Sequence, residues 1–342
     1  MIPHNRVITT KEDREAVDRV VASGQLAQGP ETAALEADMC EFTGQPYAVA
    51  VSSGTEAIRL ALLAYPGRRV TIPGYCCVAL TNAAKAARGY SPVIADVEAG
   101  KWTIDADEIG HDLEEDIVIA ANTFGAKSDV LGIKDTGAKV IEDCTHGFGG
   151  HWSDVEVLSF HATKLIGGAG GGMALTGNRR VADFVRDIRD YDDKEPSGTR
   201  LNSKMTDVHA ALVRSKLRRL RSLMDERADI ARWYLDNLHG MFGLSDIQDW
   251  PNQRTWYRFT IEVDDVEFYL RRLEQIGIQA ALPVDNWLEK SIPAIPENSA
   301  PVSYRAYRGL ISLPCYPGLT RAEVLHIARC VREVASEVRQ AA

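Results

Sequence analysis

The residues of this 342-residue chain that are best suited to chemistry are a lysine, an aspartate and a short strand-to-helix turn. Lys164 stands just before a glycine-rich run at 167–172, and a lysine amine can act as a nucleophile and carry a proton. Asp143 closes the apolar stretch 139–143 and can keep a proton on a basic ring nitrogen. The sequence Ser-Gly-Thr at 53–55 opens a predicted helix, whose free N–H groups and dipole favour an anion.

Together these three features match the requirements of pyridoxal 5′-phosphate. A lysine amine forms a Schiff base with this cofactor, a carboxylate keeps its pyridine nitrogen protonated, and a helix start holds its phosphate. Each feature alone has a plainer explanation, because most lysines are solvated, an acid at a strand end often caps a turn, and Thr55 can simply cap a helix. Their joint presence predicts a cofactor site centred on Lys164.

The glycine run at 167–172 does not match a nucleotide-binding loop. It lacks the pattern Gly-x-x-x-x-Gly-Lys-Ser/Thr, and residues 173–176 after it indicate a strand rather than a helix. We interpret the run as backbone that passes close to a bulky neighbour beside Lys164. His146, taken alone, is best explained as a structural histidine.

Composition and charge exclude several classes of protein. Hydrophobic residues make up 45% of the chain and charged residues 25%, as in soluble globular proteins. The net charge of −9 argues against nucleic acid as the main partner. No apolar run approaches the length of a signal peptide core or a membrane span, and the six cysteines form no Cys-x-x-Cys pair. We therefore expect a reduced, cytoplasmic protein with no metal site and no membrane contact.

Short apolar strands alternate with helices along the first 200 residues, which predicts a mainly parallel central sheet sandwiched by helices. The predicted strands are 47–51, 69–72, 91–96, 117–121, 139–142, 155–160 and 172–176, and the predicted helices are 10–24, 31–42, 55–65, 77–88 and 105–113. A long helical stretch at 205–239 follows, then a strand at 256–263, helices at 266–276 and 321–338, and an exposed loop at 292–301. This predicts a large cofactor-binding domain at 1–220 and a smaller α+β domain at 221–342.

The sequence resembles the DegT/DnrJ/StrS family of sugar aminotransferases nearly from end to end. Seven segments in the same order carry this resemblance. They are Gly-Pro-Glu at 29–31, Ser-Gly-Thr-Glu-Ala at 53–57, the pair at 73–77 and 92–96, Ile-Glu-Asp-Cys-Thr-His at 141–146, Ser-Phe-His-Ala-Thr-Lys at 159–164, Leu-Asn-Ser-Lys-Met at 201–205, and Ser-Leu-Pro-Cys-Tyr-Pro at 312–317. The family consists of fold type I pyridoxal-phosphate enzymes, so the resemblance implies that α/β fold.

The resemblance also implies a role for each matching residue. Lys164 would form the Schiff base and move protons, Asp143 would pair with the pyridine nitrogen, and His146 would lie beside the ring near its hydroxyl group. The phosphate would be bound within one subunit by Gly54, Thr55 and Ser159 and across the interface by Asn202. The implied assembly is a homodimer with active sites at the interface.

Several positions depart from the family pattern. Cys77 stands where the family has an aromatic residue stacked on the cofactor ring, although Tyr75 is close by. Gly170 stands where a glutamate usually precedes the paired glycines, while Lys204 replaces an arginine and His209 a glutamine. The loops near 66 and at 150–155 are also shortened. These departures concern cofactor stacking and substrate recognition.

The expected activity is transfer of an amino group, from glutamate, to a keto group of a sugar, most simply one linked to a nucleotide. Two alternatives stay open. One is a pyridoxal-phosphate enzyme of specialised metabolism with another substrate or a reaction other than transamination; dehydrating members of the family carry histidine in place of the lysine, so Lys164 disfavours that version. The other is a non-catalytic sensor, which needs no proton-moving lysine.

Overall fold

The computed structural model describes residues 1–67, 69–111, 113–192, 200–244, 254–285 and 299–341. These residues form a seven-stranded sheet flanked by helices, together with a two-stranded sheet that has its own helical cover. Within the described residues no helix is long and apolar enough to cross a membrane, and no cluster of His, Cys, Asp and Glu side chains could hold a metal ion.

The seven-stranded sheet has the order β1-β7-β6-β5-β4-β2-β3. Strands β6, β5, β4, β2 and β3 pair in parallel, whereas β7 runs antiparallel to both of its neighbours. The strands are β1 (Tyr47–Val51), β2 (Val70–Pro73), β3 (Val93–Ala95), β4 (Ile117–Ala121), β5 (Lys139–Asp143), β6 (Val155–Ser159) and β7 (Gly172–Thr176). The mainly parallel sheet predicted from the sequence is confirmed.

Helices cover both faces of this sheet. Strand β4 is buried along its whole length, as expected for a parallel strand that lies between two helical layers. The helices of this part are α1 (Lys11–Ser23), α2 (Pro30–Thr43), α3 (Gly54–Ala64), α4 (Val78–Arg88), α5 (Val130–Asp135), α6 (Arg179–Ile188) and α7 (Asp207–Leu217). Most of them begin at polar caps, such as Ser53, whose hydroxyl accepts the Glu56 N–H at the start of α3.

A second hydrophobic core surrounds the two-stranded antiparallel sheet of β8 (Phe259–Glu262) and β9 (Leu310–Leu313). Helices α8 (Leu220–Leu238), α9 (Val266–Gln275) and α11 (Arg321–Ala341) contribute to this core, and α10 (Pro301–Gly309) leads into β9. The N-terminus joins this part of the molecule, because Ile2 forms a parallel bridge with Ile278. The division into domains at residue 220 stays a prediction.

Three predicted elements need correction. The helix expected at 105–113 is one 3₁₀ turn, Ala106–Glu108, because Gly110 adopts a left-handed conformation with φ of 90°. The continuous helix expected at 205–239 is divided into α7 and α8, because Arg219 leaves helical geometry. Most of the loop expected at 292–301 lies outside the described residues, and Pro301 already begins α10.

Candidate active site

Asp143 lies at the carboxyl end of β5, the edge where parallel sheets bind ligands. One of its carboxylate oxygens accepts the Thr145 N–H at 3.0 Å, which fixes its direction. Beside it, Asn122 at the end of β4 donates to the Glu142 carboxylate at 2.8 Å and to the Gly147 carbonyl at 3.1 Å. Burial raises the pKa of Asp143, and this effect outweighs the attraction of the Lys164 ammonium.

Lys164 and His146 are in direct contact. The Lys164 Nζ lies 2.7 Å from His146 Nε2, while His146 Nδ1 lies 3.3 Å from the backbone nitrogen of Phe124. A backbone N–H can only donate, so Nδ1 is the acceptor and the neutral ring carries its proton on Nε2. The Nε2 side of His146 therefore faces the Lys164 nitrogen, which is the nucleophile of the site.

The imidazole of His146 is held between two aromatic rings. It stacks on Tyr257 at 4.1 Å between centroids with an angle of 13°, and on Phe124 at 6.1 Å with an angle of 17°. Burial, followed by the positive charges of Lys164, Arg258 and other cations, lowers the pKa of His146 well below its ordinary value. The neutral form assigned from the hydrogen bonds is thus also the electrostatically favoured one.

These groups line one cavity of about 190 Å³. Of the residues predicted from the sequence, the cavity brings together Cys77, Asp143, His146 and Lys164. The remaining lining residues come from neighbouring strand ends and from the second core; they are Cys76, Val78, Leu80, Ala121, Asn122, Thr123, Thr145, Tyr257, Arg258, Leu282, Pro283, Val284 and Asp285.

Tyr257 and Arg258 were missed by sequence reasoning. They precede β8, far along the chain from the other cavity residues, and their only sequence signal is an aromatic residue beside an arginine at a predicted strand start. The Lys164 Nζ lies 5.0 Å from the centroid of the Tyr257 ring. Burial favours a higher pKa for Tyr257, but Lys164, Arg258 and other neighbours outweigh it and lower the pKa.

The turn before α3 forms a small cradle at the sheet edge. A Cβ atom on Gly54 would come within 2.7 Å of the Ser159 Cβ, so only glycine allows this turn to lie against Ser159. Thr55 follows in the first turn of α3, where N–H groups have no intrahelical acceptor. The predicted phosphate residues Gly54, Thr55 and Ser159 are thus grouped at one helix start.

The glycine run at 167–172 is needed for close backbone packing. A Cβ on Gly172 would lie 2.5 Å from the Gly54 nitrogen and closer still to the Ser53 carbonyl group. On Gly171, which has φ of 102°, it would lie 2.8 Å from the Met205 Cε. Gly170 has φ of 148° and faces His209. The neighbours of the run are therefore the cradle backbone and α7, and a glutamate at 170 would be strained.

We expect Gly172→Ala to destabilise the fold and loosen the cradle. The added methyl group meets backbone that cannot move independently, so the free energy of unfolding should fall by about 1–3 kcal/mol. Urea unfolding followed by circular dichroism measures this change. Gly177→Ala is the matched control, since its Cβ would meet nothing closer than 3.9 Å. Equal stability of the two variants would contradict the packing account.

The structure places three other predicted residues outside the cavity or at its rim. Asn202 is exposed and does not line the cavity, although the next residue, Ser203, accepts the Ser52 N–H at 2.8 Å through its carbonyl. Cys77 is an exposed residue at the start of α4. Tyr75 is fully buried in an aromatic cluster away from the cavity, so it does not replace the missing stacking residue.

The sheet order, the strand-end aspartate and the cavity-lining lysine define the class of fold type I pyridoxal-phosphate enzymes. Residues 7–332 match the model of the DegT/DnrJ/EryC1/StrS aminotransferase family. The chain belongs to this family and is a pyridoxal-phosphate-dependent aminotransferase. The family recognised from sequence motifs is confirmed.

Solved structures agree over almost the whole chain. The aminotransferase TlmJ from Streptoalloteichus hindustanus is 25% identical, with a TM-score of 0.87, and 99% of this chain covers 100% of that chain. PseC from Helicobacter pylori, an aminotransferase involved in the biosynthesis of pseudoaminic acid, is 22% identical, with a TM-score of 0.86 and coverage of 98% and 99%. The PMP-form of the putative sugar aminotransferase Spr1654 from Streptococcus pneumoniae is 21% identical, with a TM-score of 0.87 and coverage of 99% and 98%.

The residues at the site fit this cofactor. The cradle at Gly54 and Ser159 offers a helix start to a phosphate, and within the described residues the buried carboxylate of Asp143 forms no salt bridge, so it can pair with a pyridinium. The Lys164 amine faces the same cavity. Because Cys77 stands where the family has an aromatic residue, the side chain at this point of the cavity rim is small.

Proposed function

We propose that the enzyme transfers an amino group from glutamate to a keto group of a sugar, most simply a nucleotide-linked sugar. The observation that carries the proposal is the convergence of Lys164, His146 and Asp143 in one cavity at the strand ends. Sugar aminotransferases among the similar structures support the acceptor class. Glutamate is the simplest donor because the cavity lining includes Arg258, whose guanidinium suits a carboxylate.

In this proposal bound pyridoxal phosphate supplies an electron sink that lets an amino group pass between two carbon skeletons. Lys164 would hold the cofactor through its Nζ, and the same nitrogen would serve as the group that takes and returns a proton. Asp143 holds the proton on the ring nitrogen, since its carboxylate is buried and directed by Thr145. His146 keeps the Lys164 nitrogen in place through their 2.7 Å contact.

The phosphate is held in this proposal by the first turn of α3 and by Ser159. The aromatic and apolar residues around the cavity exclude water, so the charges within it act at low dielectric.

We also propose a homodimer in which Asn202 of each subunit binds the phosphate in the other subunit. Its exposure, and its absence from the cavity of its own chain, support this arrangement. The segment is fixed for such a contact, because the Ser203 hydroxyl donates to Glu56 at 2.6 Å and Glu56 in turn pairs with Arg59.

We expect activity to return when Lys164→Ala and Asn202→Ala proteins are unfolded together and refolded. Random pairing gives mixed dimers in which one of the two sites has both native residues, so about a quarter of the wild-type site concentration should be recovered. Each variant refolded alone is the control. If Asn202 serves its own subunit, no mixed dimer contains an intact site and the mixture stays inactive.

The proposed reaction is tested with a panel of keto sugars, free and nucleotide-linked, with glutamate or glutamine as donor. Mass spectrometry of the products would show gain of an amino group on one sugar. Conversion of the bound cofactor by glutamate without amination of any sugar would favour a different reaction of specialised metabolism. Failure of every amino acid to convert the cofactor would refute the proposed function.

A further inference from the structure

Arg258 lines the cavity that contains Lys164 and Asp143, but neither family motifs nor the proposed proton transfers give it a role. Its guanidinium Cζ lies 5.4 Å from the centroid of the Tyr257 ring, the same ring that the Lys164 Nζ approaches to 5.0 Å. The distance from the Arg258 Cζ to the Lys164 Nζ therefore cannot exceed the sum of these two distances. One small amino acid can contact both groups across such a distance.

The hydrogen bonds of Arg258 leave its charge available. Its Nη1 lies 3.2 Å from His4 Nε2, and the Ser312 hydroxyl lies 3.0 Å from the same nitrogen. Burial and then the nearby Arg258 lower the pKa of His4 to about 4, so His4 is neutral at physiological pH. His4 orients the guanidinium without neutralising it. The Arg258 Nε is buried and has no hydrogen-bond partner among the residues that the structure describes.

A second arginine lies close to the cavity. Arg227, fully buried, lies 5.7 Å from the Tyr257 ring and donates to the backbone carbonyls of Tyr257 and Cys315 rather than to a carboxylate. Arg258 likewise forms no ion pair within the part of the chain that the structure describes. Arg258 lines the cavity wall, and an arginine guanidinium is a suitable partner for a planar anion, which it can bind with two parallel hydrogen bonds.

We propose that Arg258 binds the carboxylate of the amino donor and thereby makes the enzyme select amino acids as donors. This inference rests on the proposed aminotransferase function and specifies the donor side of the same site. The carboxylate would bind the guanidinium from the cavity, and the donor's amino group would face Lys164. His4 would act as a positioning residue that holds the guanidinium toward the cavity.

The test uses the cofactor-loaded enzyme and glutarate, a dicarboxylate that lacks an amino group and cannot react. Isothermal titration calorimetry with glutarate should show binding to the wild type and roughly tenfold to a hundredfold weaker binding to Arg258→Met, as expected for loss of a charge-assisted hydrogen bond. Arg258→Lys should recover part of the loss, because it restores the charge without the planar geometry. Arg271→Met, at an arginine 60% exposed on α9, is the control.

A kinetic experiment separates this inference from a structural role. In single turnovers with L-glutamate, Arg258→Met should raise the half-saturating concentration by the same factor with a smaller change in the limiting rate. Unchanged affinity for glutarate and glutamate in Arg258→Met would overturn the proposal. So would an effect confined to the keto-sugar half-reaction, which would place Arg258 on the acceptor side. If the proposed function itself is wrong, glutamate would not convert the cofactor, yet glutarate binding would still report on Arg258.

Discussion

Lys164→Ala is expected to abolish amino transfer and the visible absorption of the lysine-bound cofactor. Removing the general acid-base group alone should lower the rate by roughly 10²- to 10⁴-fold, and loss of the covalent attachment should lower it further. Stopped-flow absorbance measures conversion of the cofactor by glutamate, and the purified protein's spectrum measures attachment. The His146 donor that faces Lys164 at 2.7 Å would be left unpaired in the variant.

The matched control is Lys11→Ala, which removes a lysine whose side chain is 76% exposed and pairs only with Glu15 on α1. Its activity and spectrum should equal those of the wild type, since exposed pairs contribute little to stability. A coloured, fully active Lys164→Ala protein would remove Lys164 from the chemistry and transfer the role to another amine.

Asp143→Asn should give the second largest loss of activity. The amide keeps the shape of the side chain and can still accept the Thr145 N–H, but it cannot hold a proton on the cofactor ring nitrogen. Loss of one preorganised electrostatic group costs roughly 10²- to 10³-fold in turnover. Single-turnover conversion of the cofactor at saturating glutamate measures the effect. A variant with native turnover would show that the ring nitrogen needs no carboxylate.

The same substitution should stabilise the cofactor-free protein at neutral pH. Burial raises the pKa of Asp143 in the folded state, so the folded state binds this proton more tightly than the unfolded state does. The stability that the protonated group contributes is present at low pH and is lost as pH rises through the folded-state pKa. Asparagine has no charged form, so it avoids the cost of burying a charged carboxylate. The difference in unfolding free energy between Asp143→Asn and the wild type should therefore grow as pH rises toward the folded-state pKa of Asp143.

Much of the sheet could be predicted because its strands are continuous apolar runs. The predicted bounds of β1 (Tyr47–Val51), β4 (Ile117–Ala121) and β7 (Gly172–Thr176) agree with the structure, since each strand is almost completely buried. The polar helices α5 and α6 were not predicted. Residues 105–113 have helical spacing, but helical geometry does not continue past Gly110. The left-handed backbone of Gly110 favours a turn over another helical residue.

Some site residues could be predicted from local sequence, whereas others are placed only by long-range packing. Lys164, Asp143, His146 and the cradle belong to short segments whose chemistry is legible from residue types. The rings and cations that surround them come from distant segments, as Tyr257 and Arg258 show. Their positions depend on how the second core packs against the sheet, which no local pattern specifies. The role of Asn202 depends on a second chain, so a single chain does not test it.

The pairing of Ile2 with Ile278 has a consequence for the timing of biosynthesis. His4 reaches Ser312, so these two partners are synthesised 308 residues apart. At rates of roughly 5–20 residues per second, the N-terminal segment remains without its partners for roughly 15–60 s. The sheet that bears Lys164 can form before His4 and Ser312 are both in place to orient Arg258. A ribosome that stalls late would therefore carry a folded sheet and an incomplete active-site wall.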